Sequence, residues 1–188
     1  MMFNLPNLIT WLRILLIPLI VGIFYLPEEW LSFSGKNVAA TAVFVFAAVT
    51  DWLDGWLARR LNQMSAFGAF LDPVADKLIV VGALIVLLQL ERVESAVALI
   101  IVGREVAISA LREWMARVGQ VKSVAVAFIG KLKTASQMVA IPLLLFHEIL
   151  FEVLDCQWLG TVLINIAAVL TVVSMLYYLR KALPHAGV

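Results

Sequence analysis

Residues 51–76 read DWLDGWLARRLNQMSAFGAFLDPVAD, with long apolar stretches on both sides. This segment carries four acidic side chains, Asp51, Asp54, Asp72 and Asp76. Charged groups within or beside membrane segments are energetically costly, so they usually mark a functional site. Four neighbouring carboxylates cannot all stay ionised without cations, and ligand sets made only of oxygen suit magnesium or manganese. The segment therefore predicts a metal site at these four aspartates, and two divalent cations would balance their charge.

The composition indicates an all-α, polytopic membrane protein. The 188 residues are 63% hydrophobic and have a mean hydropathy of +1.01, well above the range of soluble domains. Apolar runs of about 18 or more residues predict membrane-spanning helices. The chain has six such candidates, which cover residues 8–26, 38–59, 73–90, 96–115, 124–146 and 158–179. Because their connections are short, we expect a single domain of six transmembrane helices over residues 1–188.

The basic residues are distributed unevenly along this predicted topology. If the N-terminus is cytoplasmic, the outward loops hold only Lys36 and Arg92, and the other twelve of the 14 Lys and Arg residues lie towards the inner side. Such a bias predicts that both termini and the aspartate segment are cytoplasmic. Arg13 interrupts the first apolar run, so we expect no cleavable signal peptide. The single cysteine, Cys156, excludes an intrachain disulfide framework.

The second predicted helix must extend into the aspartate segment. A crossing needs about 20 residues, but residues 38–50 supply only thirteen. The helix should therefore continue through Asp51, Asp54 and Ala58, and spacings of three and four place these residues on one face.

The start of the third helix has two interpretations. Asp72 followed by Pro73 is typical of a helix that begins there, with Asp as the cap and Pro in the first turn. Alternatively, the helix begins near Ser65 and Pro73 bends it. In both cases Asp76 follows Asp72 by one turn, so two helices each present two carboxylates at the same depth.

The segment resembles the signature of the CDP-alcohol phosphotransferase family. Every fixed position matches, namely Asp51, Asp54, Gly55, Ala58, Arg59, Gly68, Asp72 and Asp76. The resemblance extends over essentially the whole chain. Residues 4–13, 103–113 and 130–134 are similar to the bacterial members that use sn-glycerol 3-phosphate as the acceptor.

This resemblance implies a reaction and roles for the matching residues. The 1-hydroxyl of sn-glycerol 3-phosphate would attack the β-phosphorus of CDP-diacylglycerol, release CMP and leave phosphatidylglycerol phosphate in the bilayer. Asp76 is implied as the catalytic base and is also counted with the metal ligands Asp51, Asp54 and Asp72. The CDP group would be received by Asp54, Gly55, Ala58, Arg59 and Gly68. The resemblance also implies a homodimer in the bacterial cytoplasmic (inner) membrane, with Mg²⁺ or Mn²⁺ as cofactor.

The phosphate of the acceptor needs its own cations. Arg104 and Arg112 are eight residues apart and so share nearly the same helix face, and two lysines lie near the inner end of the next helix. The predicted acceptor phosphate site comprises Thr10, Arg13, Arg104, Arg112, Lys131 and Lys133. The alternative for these basic residues is contact with lipid headgroups, and Arg13 or Lys77 could instead pair with an aspartate. Glu105 and Glu113 are expected to form structural ion pairs or hydrogen bonds.

Two alternative functions remain open beside this prediction. The same chemistry could use another alcohol, such as inositol phosphate or serine. A divalent-cation or proton transporter could use intramembrane acids, but these aspartates cluster at one surface instead of tracing a route across the bilayer. Nucleic-acid binding is not expected, because the tryptophans lie mostly near predicted helix ends, as in an interfacial aromatic belt.

Overall fold

Six helices and one short hairpin make up the part of the chain described by this computed structural model, residues 5–60, 66–117, 128–150 and 152–183. The helices are α1 (Leu5–Ile23), α2 (Phe33–Arg60), α3 (Ala66–Gln89), α4 (Ser95–Arg117), α5 (Phe128–Phe146) and α6 (Cys156–Ala182). Strands β1 (Ile149–Leu150) and β2 (Leu154–Asp155) pair antiparallel between α5 and α6. The Asp155 side chain caps α6 by accepting a hydrogen bond from the Trp158 backbone N–H at 2.9 Å.

The helices agree with the six predicted ranges, with differences at their ends. Helix α2 continues to Arg60, so the aspartate segment does extend an apolar helix. Helix α3 begins at Ala66 and contains Pro73, so the predicted start at Asp72 is wrong and the alternative start near Ser65 is correct. Proline can lie inside membrane helices because neighbouring groups satisfy the freed backbone. The hairpin was not predicted, and residues 124–127 of the fifth predicted range lie outside the described residues.

Helix packing forms one large apolar core and a smaller second cluster between α4 and α6. Helix α1 packs on α2 and α3, α2 and α6 pack on α5, and α4 packs mainly on α6. Two glycines permit close approach: a Cβ at Gly82 would lie 2.9 Å from Ile17 Cγ2, and one at Gly160 would lie 2.7 Å from Leu144 Cγ. Small residues commonly serve this purpose between membrane helices.

The helices have the length and exposed apolar surface of a membrane protein. Three of the described segments are long and apolar enough to cross a bilayer, Phe33–Asp51, Ile129–Phe146 and Cys156–Ala182, and Asn7–Ile23 is a shorter apolar helix. Large apolar side chains such as Leu15 and Leu99 are exposed, as expected for a surface in contact with lipid. Helices α3 and α4 lie outside these segments, and charged residues such as Asp76 and Arg104 interrupt their apolar sequences.

Basic side chains fasten the end of the bundle that lies away from the aspartates. Arg92, between α3 and α4, donates to the carbonyl oxygens of Leu144 and Leu145 at 3.0 and 2.8 Å and to Asn37 Oδ1 at 2.9 Å. Lys36 donates to the Leu26 carbonyl at 2.6 Å. Lys36 was predicted in a loop, but it lies in the first turn of α2 because that helix begins at Phe33.

Burial affects the ionisation of two groups at this end. It lowers the pKa of the Arg92 guanidinium, although arginine stays charged in proteins. Burial and the nearby Arg92 charge also lower the pKa of His147. His147 is therefore neutral at pH 7, and it follows α5 at the end of the bundle opposite the aspartates.

Replacing Arg92 with Met is expected to lower thermal stability in detergent. The change leaves the last carbonyls of α5 and the Asn37 amide oxygen without this donor, a loss of about 2 kcal/mol. The matched control is Arg117→Met, because the Arg117–Glu113 pair is exposed and such pairs contribute little. Unfolding temperatures of the two variants provide the measurement, and equal values would contradict the fastening role of Arg92.

Candidate active site

One buried arginine brings two of the predicted metal ligands together. Arg13 Nη1 on α1 donates to Asp51 Oδ1 of α2 at 2.8 Å, and it also donates to Asp76 Oδ1 of α3. The Arg13 side chain is 1% exposed, whereas the Asp51 and Asp76 side chains are 43% and 41% exposed. The guanidinium therefore orients both carboxylates from behind and leaves them accessible to a ligand.

A second residue of α1 holds a third aspartate. Thr10 Oγ1 donates to Asp72 Oδ1 at 2.6 Å. Thr10 and Arg13 are three residues apart and lie on one face of α1, so that face contacts carboxylates of both α2 and α3. Thr10 and Arg13 were predicted beside the acceptor, and in the structure they contact the aspartates, as the alternative for Arg13 anticipated.

The donor chemistry at Asp51 and Asp76 fits a hard cation. Both carboxylates contact the same Arg13 guanidinium, whose single positive charge balances only one of them, so a proton or a further cation can offset the remaining charge. Among the side chains that the structure describes, no three carboxylate, imidazole or thiol groups converge on one metal position. The Asp54 side chain, the fourth predicted ligand, lies outside the described residues.

A cluster of cations lies beside the aspartates. Lys133 Nζ of α5 donates to Glu105 Oε1 of α4, and Arg104 Nη1 donates to the same oxygen at 3.2 Å. Lys133 and Arg104 are both buried, and Arg104 Nη2 also lies 3.5 Å from Ser174 Oγ of α6. The ion pair predicted for Glu105 is thereby confirmed. Glu105 links two of the predicted acceptor-site cations.

Lys77 joins this cluster from α3. Its ammonium donates to Ser109 Oγ at 2.5 Å, and Ser109 Oγ in turn donates to the Glu105 carbonyl at 2.6 Å. Lys77 directly follows Asp76, so the carboxylate and the ammonium leave adjacent positions of one helix. The sequence predicted that Lys77 would either pair with an aspartate or contact lipid. In the structure its hydrogen-bond partner is Ser109 instead.

A cavity of about 250 Å³ connects the aspartates with the cations. Its lining residues come from α2, α3, α4 and α5, and they are Asp51, Pro73, Asp76, Lys77, Val80, Glu105, Lys133, Thr134, Gln137 and Met138. A larger cavity of about 530 Å³, lined partly by Glu91 and Arg92, lies at the opposite end of the bundle. The smaller cavity is the candidate active site, because carboxylates and cations meet there.

Other predicted site residues lie outside this cavity or outside the described side chains. Arg112 and Lys131 are exposed and do not line it. Arg104 and Arg112 share a helix face as predicted, since their guanidinium carbons lie 6.0 and 5.9 Å from the centroid of the Tyr178 ring. Gly68 is buried in α3. The predicted CDP-binding residues Asp54, Gly55, Ala58 and Arg59 lie within the bounds of α2, but their side chains are not among those described.

Sequence reasoning did not assign Thr134, Gln137 or Ser109 to the site. The Gln137 side chain is 3% exposed. Its polar amide within the otherwise apolar end of α5 could have indicated a site residue. Thr134 belongs to the stretch 130–134 that carries part of the family resemblance. Ser109 belongs to the stretch 103–113, which also carries part of the resemblance, but its contact with Lys77 depends on the approach of another helix.

The chain is similar to known proteins over almost its whole length. A protein of Shigella flexneri serotype 5b (strain 8401), named CDP-diacylglycerol--glycerol-3-phosphate 3-phosphatidyltransferase, is 49% identical over 186 residues, which cover 97% of this chain and 96% of the relative. Proteins of the same name from Shigella boydii serotype 4 (strain Sb227) and Escherichia coli (strain K12) show the same identity and coverage. The family of CDP-alcohol phosphatidyltransferases matches residues 3–173. The chain, with its aspartate signature and its nearly full-length relatives, belongs to the CDP-alcohol phosphatidyltransferase family.

Proposed function

We propose that the protein transfers the phosphatidyl group of CDP-diacylglycerol to sn-glycerol 3-phosphate. The acceptor 1-hydroxyl oxygen bonds to the β-phosphorus, the bond from that phosphorus to CMP breaks, and the hydroxyl proton passes to a base. The products are CMP and phosphatidylglycerol phosphate. The observation that carries this proposal is that the carboxylates of Asp51 and Asp76 and the ammonium groups of Lys77 and Lys133 line one shared cavity.

The two sides of the cavity have different tasks. Asp76 accepts the proton of the acceptor hydroxyl, and Arg13 holds its carboxylate in place. Lys133 and Lys77, with Arg104 behind them, receive the acceptor phosphate. With Glu105 included, these three cations leave a net charge of about +2, which matches a phosphate dianion. This balance favours an acceptor that carries phosphate over a neutral alcohol.

Two divalent cations, Mg²⁺ or Mn²⁺, would be held by Asp51, Asp54, Asp72 and Asp76. When bound, they stabilise negative charge on the phosphate oxygens of the nucleotide-linked substrate. The accessible carboxylates of Asp51 and Asp76 support this assignment. Gly55, Ala58, Arg59 and Gly68 would accommodate the CDP group next to the metals.

Removal of divalent cations is expected to stop CMP release. With EDTA present, four mutually repelling carboxylates lose their counter-ions, and the phosphate oxygens lose their charge stabilisation. Added Mg²⁺ or Mn²⁺ should restore turnover in the same sample, as measured by CMP formation. A rate that persists unchanged in EDTA after extensive dialysis would contradict the metal assignment.

We place the aspartate end of the bundle at the cytoplasmic face of the bacterial inner membrane. In this arrangement one domain crosses the bilayer six times and both termini are cytoplasmic, in accord with the distribution of basic residues. The protein would act as a homodimer. Reporter fusions at each connection between helices test the topology, and an outward location of the α2–α3 connection would overturn it.

The experiment that tests the function is an acceptor competition in purified, metal-loaded enzyme. CMP release from CDP-diacylglycerol should require sn-glycerol 3-phosphate, with serine and inositol phosphate as poor substitutes. Preferential use of either alternative would change the acceptor and keep the chemistry. Cation uptake by proteoliposomes without lipid synthesis would instead favour a transporter.

A further inference from the structure

The larger cavity, at the end of the bundle opposite the aspartates, has a mixed lining that the proposed reaction does not use. This distal cavity of about 530 Å³ is lined by residues 88, 91–95, 97, 157, 161, 164 and 165, which belong to the α3–α4 connection with its flanking turns and to α6. Its size is typical of cavities that hold small ligands. Among the described residues that line it, none was assigned to catalysis, to metal binding or to either substrate.

One cation lines the distal cavity, and its charge is buried without an anionic partner. Arg92 is 8% exposed, and its guanidinium donates only to neutral oxygens, those of Leu144, Leu145 and Asn37. Within the described part of the chain no carboxylate forms an ion pair with it. A guanidinium has five N–H donors, so two remain for a ligand. Because a buried charge without a counter-ion is costly, an anionic group in the cavity would stabilise this arginine.

The start of α4 adds a second source of positive potential. Helix α4 begins at Ser95, and both Ser95 and Val97 of its first turn line the distal cavity. The first backbone N–H groups of a helix have no partner within the helix, and the aligned peptide dipoles make that end positive. Phosphate groups bind at such ends. Arg92 and the start of α4 therefore favour the same ligand group, a phosphate.

Two exposed carboxylates in the same lining call for a positive group in the ligand as well. Glu91 and Glu94 line the cavity, and neither has a hydrogen-bond or ion-pair partner among the described residues. Two carboxylates and the one guanidinium of Arg92 leave the lining with a net charge of −1. A purely anionic ligand is disfavoured by this net charge, whereas a ligand with both a phosphate and an ammonium group is complementary to each charge.

Helix α6 contributes a row of uncharged polar side chains and part of an apolar wall. Gln157, Thr161 and Asn165 follow spacings of four residues, share one helix face and all line the cavity. The row is about 12 Å long at the helical rise per residue, and it lies on a segment that is apolar enough to cross a bilayer. An amide that faced hydrocarbon there would be costly. Leu88 and Ile164 line the same cavity, so its surface suits an amphiphile.

We propose that the distal cavity binds the headgroup of a zwitterionic phospholipid that carries a primary amine. Its phosphate contacts Arg92 and the start of α4, and its ammonium donates to Glu91 and Glu94. The apolar wall receives the beginning of the acyl chains. In the proposed topology such a lipid comes from the outer leaflet, since the α3–α4 connection lies opposite the cytoplasmic aspartates. The inference does not depend on the reaction assigned to the other end of the bundle.

Photolabelling of the unmodified chain tests the site and its ligand together. Phosphatidylethanolamine with a photoreactive group next to the ester carbonyl should label residues 88–97 or 157–165 of the purified protein. Unlabelled phosphatidylethanolamine should prevent this labelling at concentrations about tenfold lower than phosphatidylglycerol or phosphatidylcholine with the same chains, because neither of these offers ammonium N–H donors to the carboxylates.

Three results of this experiment would overturn the proposal. They are labelling confined to other residues, equally effective competition by phosphatidylglycerol, and equally effective competition by glycerophosphoethanolamine. The last compound has the headgroup without acyl chains, so its success would assign the cavity to a soluble zwitterion.

A pair of charge-matched variants tests the two carboxylates. Glu91→Gln/Glu94→Gln should weaken phosphatidylethanolamine binding about tenfold, measured as the concentration that half-saturates labelling, because the ammonium loses its charged acceptors. The control is Glu28→Gln/Glu29→Gln. These two glutamates are exposed between α1 and α2 at the same end of the bundle and do not line the cavity. Equal half-saturation in the two double variants would contradict the proposal, and their unfolding temperatures without lipid confirm that both are folded.

Discussion

Asp76→Asn is expected to lower kcat at least about a hundredfold, because a carboxamide cannot take the proton of the acceptor hydroxyl. The amide oxygen can still accept the hydrogen bond from Arg13, which now reaches Asp76 Oδ1. The fold around the site should therefore persist. Single-turnover CMP release, measured with saturating Mg²⁺ and both substrates, separates this loss from slower substrate binding.

The control for this prediction is Asp155→Asn. Asp155 caps α6, and asparagine is an equally good cap, so this variant should keep normal turnover. Binding of Mn²⁺ to Asp76→Asn should be largely retained, since Asp51, Asp54 and Asp72 keep their carboxylates. Turnover close to that of the unmodified enzyme would remove Asp76 from the role of base.

Lys133→Met is expected to raise the KM for sn-glycerol 3-phosphate between about tenfold and a hundredfold. The substitution keeps the length and the apolar stem of the side chain, but it removes one charge-assisted hydrogen bond to the acceptor phosphate. The KM for CDP-diacylglycerol should change little, because Lys133 lies on the cationic side of the cavity. Initial rates at varied concentrations of each substrate give the two values separately.

The loss of Lys133 also removes a partner of Glu105, which could destabilise the protein. The double variant Lys133→Met/Glu105→Gln avoids the unpaired carboxylate, and it should recover stability without recovering the KM. Lys181→Met is the control, because Lys181 is exposed near the end of α6. An unchanged KM for sn-glycerol 3-phosphate in the folded double variant would show that Lys133 does not bind the acceptor.

Some of the contacts behind these two predictions could be predicted from the sequence, and others could not. The sequence placed Asp51 and Asp76 on neighbouring helices at one depth, because helical periodicity and the length of a membrane crossing constrain both positions. The sequence did not decide whether Arg13 pairs with an aspartate or contacts lipid. Its two partners, Asp51 and Asp76, are 38 and 63 residues away along the chain. The sequence also left the start of α3 open, because an Asp-Pro pair can lie at the start of a helix or inside a membrane helix.

The cationic side of the site was less predictable than the acidic side. Arg104 and Lys133 were expected near the acceptor, and the structure buries both on Glu105. Arg112 and Lys131 were predicted from the same kind of pattern, a basic residue near the inner end of a helix, yet both are exposed. Spacing identifies a helix face, but the rotation of that face relative to its neighbours depends on packing across the bundle.

Local patterns were enough to predict an all-α membrane protein, six helices and the aspartates of the site. The length of an apolar run, the positions of charges and the spacing of residues along a helix are local properties of the sequence. They do not depend on how the helices pack. The guanidinium between Asp51 and Asp76, the Lys77–Ser109 contact and the cavity shared by the aspartates and Lys133 came only from the packed bundle. These features join residues on different helices, and their geometry is set when the helices pack together.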